Sequence, residues 1–286
     1  MKKNKKWIIS GIIILILVIF SLTGFMIYGM IKGGTFSFLE KTVSLYENSF
    51  SNITEINIDV TSYDVELKES SSKEITVEIT GSEKNKDKIK VENSSSKLNI
   101  TQEGSSICFG LCLYQDKITI YMPEDITINH DSSSGTFTSE MNLTKGNIHT
   151  TSGDILLNNI EEGNLQSTSG NIKVADSTSL NIQSTSGDIK LGTIANLIGS
   201  ATSGNIIIDE ITSQLDIVTT SGDISINELN IKEDSSISAR SGNVNVKLGA
   251  EVFIDATTRG GDIDIHNANQ NPTLKITTTS GDIKAK

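Results

Sequence analysis

Several residue types that usually carry chemistry are scarce. The 286 residues include two cysteines, two prolines, one tryptophan and three histidines. His130, His149 and His266 fall at different offsets of the repeat described below, and each reads as a surface residue, not a general base. Cys108 and Cys112 have no further Cys or His pair to complete a zinc set. From residue 138 to the end Phe253 is the sole aromatic residue, which leaves no platform for stacking on sugar rings. No serine stands in a Gly-x-Ser-x-Gly elbow. No acid–base pair of carboxylates stands out as in glycoside hydrolases. The expectation is a protein that is not an enzyme and uses no cofactor; a carbohydrate-active enzyme is the second alternative.

Positive charge is scarce beyond the amino end. The first 32 residues hold five lysines and no acid, so 19 of the 24 basic residues face all 35 acidic ones in the remainder, a net of −16. That balance repels phosphate backbones and argues against nucleic acid as a partner.

The one long apolar run lies at the start. Residues 1–6, with Lys2, Lys3, Lys5 and Lys6, form a basic cytoplasmic tail, and 7–31 carry no charge. As a helix those residues would extend about 37 Å, enough to span a bilayer with some tilt. The run is too long for a cleaved signal core and lacks its small-residue cleavage site. The expectation is an uncleaved signal-anchor: a single-pass transmembrane helix in the plasma membrane, amino terminus cytoplasmic, remainder extracytoplasmic. Residues 32–50 read as a juxtamembrane linker.

What is abundant is one phrase, Ser-Gly-Asp-Ile or Ser-Gly-Asn-Ile. Its glycines are Gly153, Gly170, Gly187, Gly204, Gly222, Gly242, Gly261 and Gly281, with a weaker copy at Gly135, in steps of 17–20 residues. A fixed period of this size marks a repeat architecture. Counting from each glycine, apolar residues fall at −7 and −5 (Leu180 and Ile182, Leu215 and Ile217). They recur at +2 and +4 (Ile172 and Val174, Ile206 and Ile208). This alternation is that of strands with one buried face. Ile160, Ile194, Ile211 and Leu229 at +7 suggest a third side. The fold class is all-β: a parallel β-solenoid (β-helix) with 17–20-residue rungs over 126–286, preceded by β-hairpins. Residues 51–125 hold a disguised first rung, with Tyr63 at the glycine position, and a hairpin insertion covering the membrane-proximal end.

Position +1 runs Asp154, Asn171, Asp188, Asn205, Asp223, Asn243, Asp262, Asp282. In rungs stacked about 4.8 Å apart, alternating Asp with Asn separates like charges and allows amides to ladder between them. This column reads as structural. Position −2 is Ser or Thr except at Arg240 and Arg259, which are expected in neighbouring rungs, stacked on one face as a possible interaction patch. The last rung, ending Asp282-Ile283-Lys284-Ala285-Lys286, shows no cap, so it reads as an open edge guarded by lysines. Cys108 and Cys112 are a possible disulfide. As an extended strand their Cα atoms would be about 13 Å apart, beyond the roughly 7 Å bridging limit. A bridge therefore needs a turn at Phe109-Gly110-Leu111, and free thiols remain open.

The short alternating strands, the stretch Ile118-Thr-Ile-Tyr-Met-Pro123 and the recurring Thr-Ser-Gly-Asp-Ile resemble a bacterial family of β-strand-repeat proteins. That family is known as a domain of unknown function and by the label "putative adhesin". The single amino-terminal anchor is similar to that of the membrane-attached member encoded beside a cell-wall-stress two-component system in Firmicutes. The resemblance covers roughly 53–286. It implies a non-enzymatic cell-envelope scaffold or interaction module, and it supplies no catalytic residue. An envelope protein or wall polymer is the expected partner, besides the membrane itself. A surface adhesin for external ligands is the alternative. Nine rungs reach only about 40–45 Å, too short to cross a thick wall.

Overall fold

The computed structural model describes residues 42–104, 115–266 and 271–286. The expected tail, the apolar span 7–31, residues 32–41 and both cysteines lie outside these residues. Among the described residues no helix is long and apolar enough to cross a membrane.

Twenty strands form one continuous sheet system. The first group is β1 (Val43–Phe50), β2 (Glu55–Val60), β3 (Asp64–Glu69), β4 (Ile75–Gly81), β5 (Ile89–Ser94), β6 (Lys97–Gln102), β7 (Lys117–Met122) and β8 (Thr127–Ser132). The long strands follow: β9 (Phe137–Thr150), β10 (Ile155–Ser167), β11 (Ile172–Ser184), β12 (Ile189–Ala201) and β13 (Ile206–Ser221). The last group is β14 (Ile224–Leu229), β15 (Ser235–Ser241), β16 (Val244–Leu248), β17 (Phe253–Gly260), β18 (Ile263–Ile265), β19 (Thr273–Ser280) and β20 (Ile283–Ala285). Each of β9 to β13 leaves one glycine corner, turns along a third side and ends at the next corner. Its first half pairs in one sheet and its second half in the other, always parallel to its neighbours. The result is a parallel β-solenoid of nine turns cornered on glycine.

The alternation translates directly into the interior. Ile155, Ile172, Ile189, Ile206 and Ile224 stack as one column, each 2 % exposed or less. Leu143, Ile160, Ser177, Ile194, Ile211 and Leu229 form the column of the third side. A fully buried Ile or Leu contributes roughly 1.5–3 kcal/mol, and no single turn could bury its own. Stability therefore comes from stacking.

The order of turns in space differs from the order in sequence at both ends. β2 lies between β6 and β8, and β3 between β7 and β9. The segment expected to form only hairpins thus also supplies a rung, β6–β7, beneath β2–β3. Lys97 clips β6 to Glu55 at 2.9 Å, and Lys117 clips β7 to Glu66 at 2.9 Å. The Lys117 ammonium, with Lys68 also in reach, holds the half-buried Glu66 carboxyl below the ordinary range against its desolvation. Antiparallel β4 and β5 then cover that rung, and β1 pairs outside β4. The expected linker therefore ends before Val43, which begins a strand of the sheet.

At the other end β19–β20 insert between β15–β16 and β17–β18. The last rung in sequence is an interior one, which corrects the expected open edge. The edge is residues 253–265, where Ile263, in the inward column of Ile283, remains 43 % exposed for want of a further rung, and Phe253, on the outward face of its strand, is 37 % exposed. Lys286 pairs with Asp264 and ties β20 to β18.

Candidate functional site

Each corner is built from three positions. The glycine is required by the rung below: a Cβ on Gly153, Gly170 or Gly187 would overlap the carbonyl oxygen of the preceding corner glycine. Three residues earlier stands a buried hydroxyl. Thr150, Ser167 and Ser184 accept the N–H of Gly153, Gly170 and Gly187 at 2.9, 2.8 and 3.2 Å. Ala201 has no hydroxyl, and from its rung onward the corner glycines take φ of +111 to +147°. The same hydroxyl also donates to the corner carbonyl in rungs along the stack, from Ser132 to Gly135 at 3.4 Å, from Ser184 to Gly187 at 3.1 Å and from Thr278 to Gly281 at 3.1 Å. This inner column was missed because Ser and Thr fill the sequence, yet its fixed −3 offset was the available signal.

The third position is the Asp/Asn column. Oδ1 of Asp154, Asn171, Asp188, Asn205, Asp223, Asn243 and Asp282 each accepts the backbone N–H of the same position one rung on, at 2.7–3.0 Å. Asp262, on the edge rung, ends the series. The expected ladder of side-chain amides is thus mostly a ladder from side chain to backbone. The Nδ2 of Asn171, which reaches Asp154 at 3.3 Å, adds a side-chain bond. Asp and Asn serve equally as acceptors of the backbone N–H, so charge and the extra Asn donor are what distinguish them.

Arg240 and Arg259 are not in neighbouring rungs. Both flank Thr279 in register, because β19 lies between their strands. Neither makes an ion pair among the described residues.

The outer face of the sheet that precedes the corners carries neutral amides. Asn99, Asn57, Asn129 and Asn147 bond one another through their side chains at 2.8–2.9 Å. The column continues as Asn164 and Asn181, with Gln166 and Gln183 beside them in the same two rungs. These four exposed carboxamides make no hydrogen bond among the described residues. They lie between a shallow concavity of about 610 Å³, lined by Asn129, Asn147, Asn164 and Gln166, and the aliphatic pair Ile198 and Val218, 62 % and 56 % exposed. His149 sits at its rim, with Nδ1 2.9 Å from Asp131.

His130 is buried, against the expectation of a surface position. It stands in the column of Ile58 and Ile148, packed against Phe137 with ring centroids 4.8 Å apart. Neither ring nitrogen has a hydrogen-bond partner among the described residues. Burial lowers its pKa to about 4, reinforced by His149 and opposed by Asp131. Because the folded value lies below the unfolded one, the neutral ring's contribution is complete above about pH 6.5 and is lost as pH falls towards 4. The loss amounts to about 3 kcal/mol. Replacing His130 with Ile is expected to raise stability at pH 7 by roughly 1–3 kcal/mol. It is also expected to widen the gap over the native chain between pH 6.5 and 4. Urea titrations of both proteins at each pH check this, and parallel pH profiles would refute it.

Among the described residues no group of three or more His, Cys, Asp or Glu side chains is placed to hold a metal ion. A stacked array of glycine corners, amides and ion pairs defines a repeat protein of the β-solenoid class. The chain belongs to the Toastrack DUF4097 family, whose profile matches residues 53–258 and again 179–286. No curated protein matches it. Among solved structures it is similar to a "putative lipid binding protein" from Parabacteroides distasonis, at 18% identity and TM-score 0.55 over 86% of this chain and 97% of that one. A "putative adhesin" from Parabacteroides merdae matches at 13% identity and TM-score 0.53, over 84% and 96%. At these identities the likeness is one of fold.

Proposed function

We propose that the chain is a non-catalytic interaction module, anchored in the plasma membrane by residues 7–31 and folded on its outer side. There it contacts an uncharged, hydroxyl- and amide-bearing envelope polymer, and it serves the response to envelope stress. The observation behind this reading is the square of Asn164, Gln166, Asn181 and Gln183. Each carboxamide offers both donors and an acceptor, on the outer face of the sheet and with no hydrogen-bond partner among the described residues. The neighbouring Ile198 and Val218 suit the apolar portions of such a chain. The acidic surface is compatible with a neutral polymer and not with a polyphosphate.

Co-sedimentation of the full chain with purified cell walls tests this. The quadruple Ala variant at the four amides is expected to bind about tenfold more weakly, a difference of about 1.4 kcal/mol. Equal binding by the two proteins would remove the amide face from the proposal. A second reading, an adhesin for external ligands, is supported by the name that the Parabacteroides merdae relative carries. Antibody labelling of residues 126–286 on intact cells separates the two. The envelope reading expects labelling only after gentle wall removal, and the adhesin reading expects it before.

A further inference from the structure

We infer that the outer face of the amide sheet holds a β-1,4-linked, N-acetylated glycan strand lying along the stack, one sugar to a rung. The inference rests on the polymer reading above and narrows it. Two columns of side chains make the site. One wall is the asparagine column from Asn57 to Asn181. The other stands two residues further along each strand: Asp59, Asp131, His149, Gln166 and Gln183. Between the walls Ile58, Ile148, Leu165 and Ile182 are buried, so the floor of the furrow is backbone. The concavity of about 610 Å³ is the first four rungs of this furrow, and its size is that of a ligand site. Beyond Asn164 and Gln166 the furrow continues without a charged side chain in either wall, through Asn181 and Gln183 to Ile198 and Ser200. Of the charges at its margins, His149 pairs with Asp131 at 2.9 Å and Lys145 with Glu162 at 3.3 Å.

The repeat selects the occupant. Parallel rungs offer the same donors and acceptors about every 4.8 Å, so a ligand that uses several of them must itself repeat in step. An extended peptide advances about 3.3 Å per residue and falls out of step within two rungs. A β-1,4-linked sugar chain is an extended ribbon that advances by close to one rung per ring. Successive rings are turned by half a turn, so their acetamido groups point alternately to either side. The two walls stand two residues apart on each strand, about 6.6 Å, with carboxamides on both sides at 164 and 166 and again at 181 and 183. Each acetamido group carries one N–H and one carbonyl, the complement of what an Asn or Gln side chain offers. Neither partner is charged, which suits a chain whose remaining surface is acidic. No aromatic platform is required, because the contacts are to ring substituents and not to ring faces. A strand lying across the sheet would leave the amides after one rung.

Calorimetric titration of the full chain with chito-oligosaccharides of two to six sugars tests it, in a detergent without a sugar headgroup. The hexamer is expected to bind with a Kd below about 1 mM and at least roughly tenfold more tightly than the dimer. Cellohexaose, the same chain without acetamido groups, is expected to bind about tenfold more weakly than the chitin hexamer, and maltohexaose, which coils through α-1,4 links, not at all. The double variants Asn164→Ala/Gln166→Ala and Asn181→Ala/Gln183→Ala are each expected to weaken the hexamer about tenfold, with urea midpoints close to the native one. A native chain that ignores the hexamer up to roughly 10 mM overturns the inference. So does equal binding of dimer and hexamer, equal binding of cellohexaose or maltohexaose, or hexamer binding that both double variants retain. If wall co-sedimentation still depends on the four amides after such a result, the polymer reading stands with a different ligand; if it does not, both fall.

Discussion

Gly170→Ala is expected to destabilise the protein by about 3 kcal/mol or more, at the upper end of what overpacking usually does. The reason is the neighbouring rung, not the backbone angle. Gly170 does not adopt a positive φ, so alanine is sterically permitted within its own turn. Its Cβ, however, would overlap the carbonyl oxygen and carbon of Gly153 and crowd the Asp154 nitrogen. Those are backbone atoms held by ladder bonds on both sides, so no rotamer change relieves the clash. Two rungs must separate at the corner instead. That separation weakens the bond from Asn171 N–H to Asp154 Oδ1, now 2.7 Å, and the parallel ladder between β10 and β11. Because the stack transmits stability between nearest neighbours, a break there also uncouples the turns on either side. Gly104→Ala is the control. Its φ is +79°, yet nothing lies within 4 Å of the added carbon. Only a local conformational strain of roughly 1–2 kcal/mol is expected. Urea melts of both variants decide the matter. A Gly170→Ala protein no weaker than the Gly104→Ala one would mean that the corners can spread without loss.

The same repetition explains what the sequence made legible and what it concealed. A glycine every 17–20 residues with apolar positions at −7, −5, +2 and +4 specifies a rung, so the solenoid and its inward columns could be read directly. The order of rungs could not. Residues 253–265 and 273–285 present nearly the same inward pattern, Ile254 and Ile263 against Leu274 and Ile283. Either could stack on β15–β16 with its corner glycine over Gly242. What distinguishes them lies outside the repeat phrase, in the connections and in side-chain clips such as Lys286 to Asp264. At the amino end, β6 and β7 were concealed because the chain between them replaces a three-residue corner with a long insertion. His130 was misread for a different reason. It occupies offset −5, an aliphatic position in nearly every other rung, and that place outweighs the usual preference of histidine for the surface. The amide square was also visible as offsets −6 and −4 in two successive repeats. What no spacing reveals is that its hydrogen-bonding capacity is left unspent among the described residues.

The triple variant Asn171→Asp, Asn205→Asp and Asn243→Asp is expected to lose about 3 kcal/mol at neutral pH and moderate salt. Each new carboxylate would stand between two existing ones: 171 between Asp154 and Asp188, 205 between Asp188 and Asp223, and 243 between Asp223 and Asp282. Six like-charge contacts follow. At about 4.8 Å in water each is repulsive by about 0.9 kcal/mol, reduced to roughly half by physiological salt. The bonds to the backbone survive the change, since Asp already serves as acceptor at 2.7 Å for the N–H of Asn171 and of Asn243, and only the long 3.3 Å bond from Asn171 Nδ2 to Asp154 is lost. The loss is therefore electrostatic and has a distinctive signature. Like neighbours raise the carboxyl pKa values in the folded state above those of the unfolded chain, so the penalty is present above the folded values. It disappears as pH falls through them towards 4. It also shrinks in 1 M salt. A matched Asn→Ala triple removes the acceptor instead of adding charge, and its loss of roughly 1 kcal/mol per site should persist at low pH and in salt. Melts of the two triples at pH 7 and pH 4, with and without salt, separate charge from hydrogen bonding. If the Asp triple melts with the native chain at neutral pH, the alternation of Asp and Asn has no electrostatic role and the column acts through its oxygens alone.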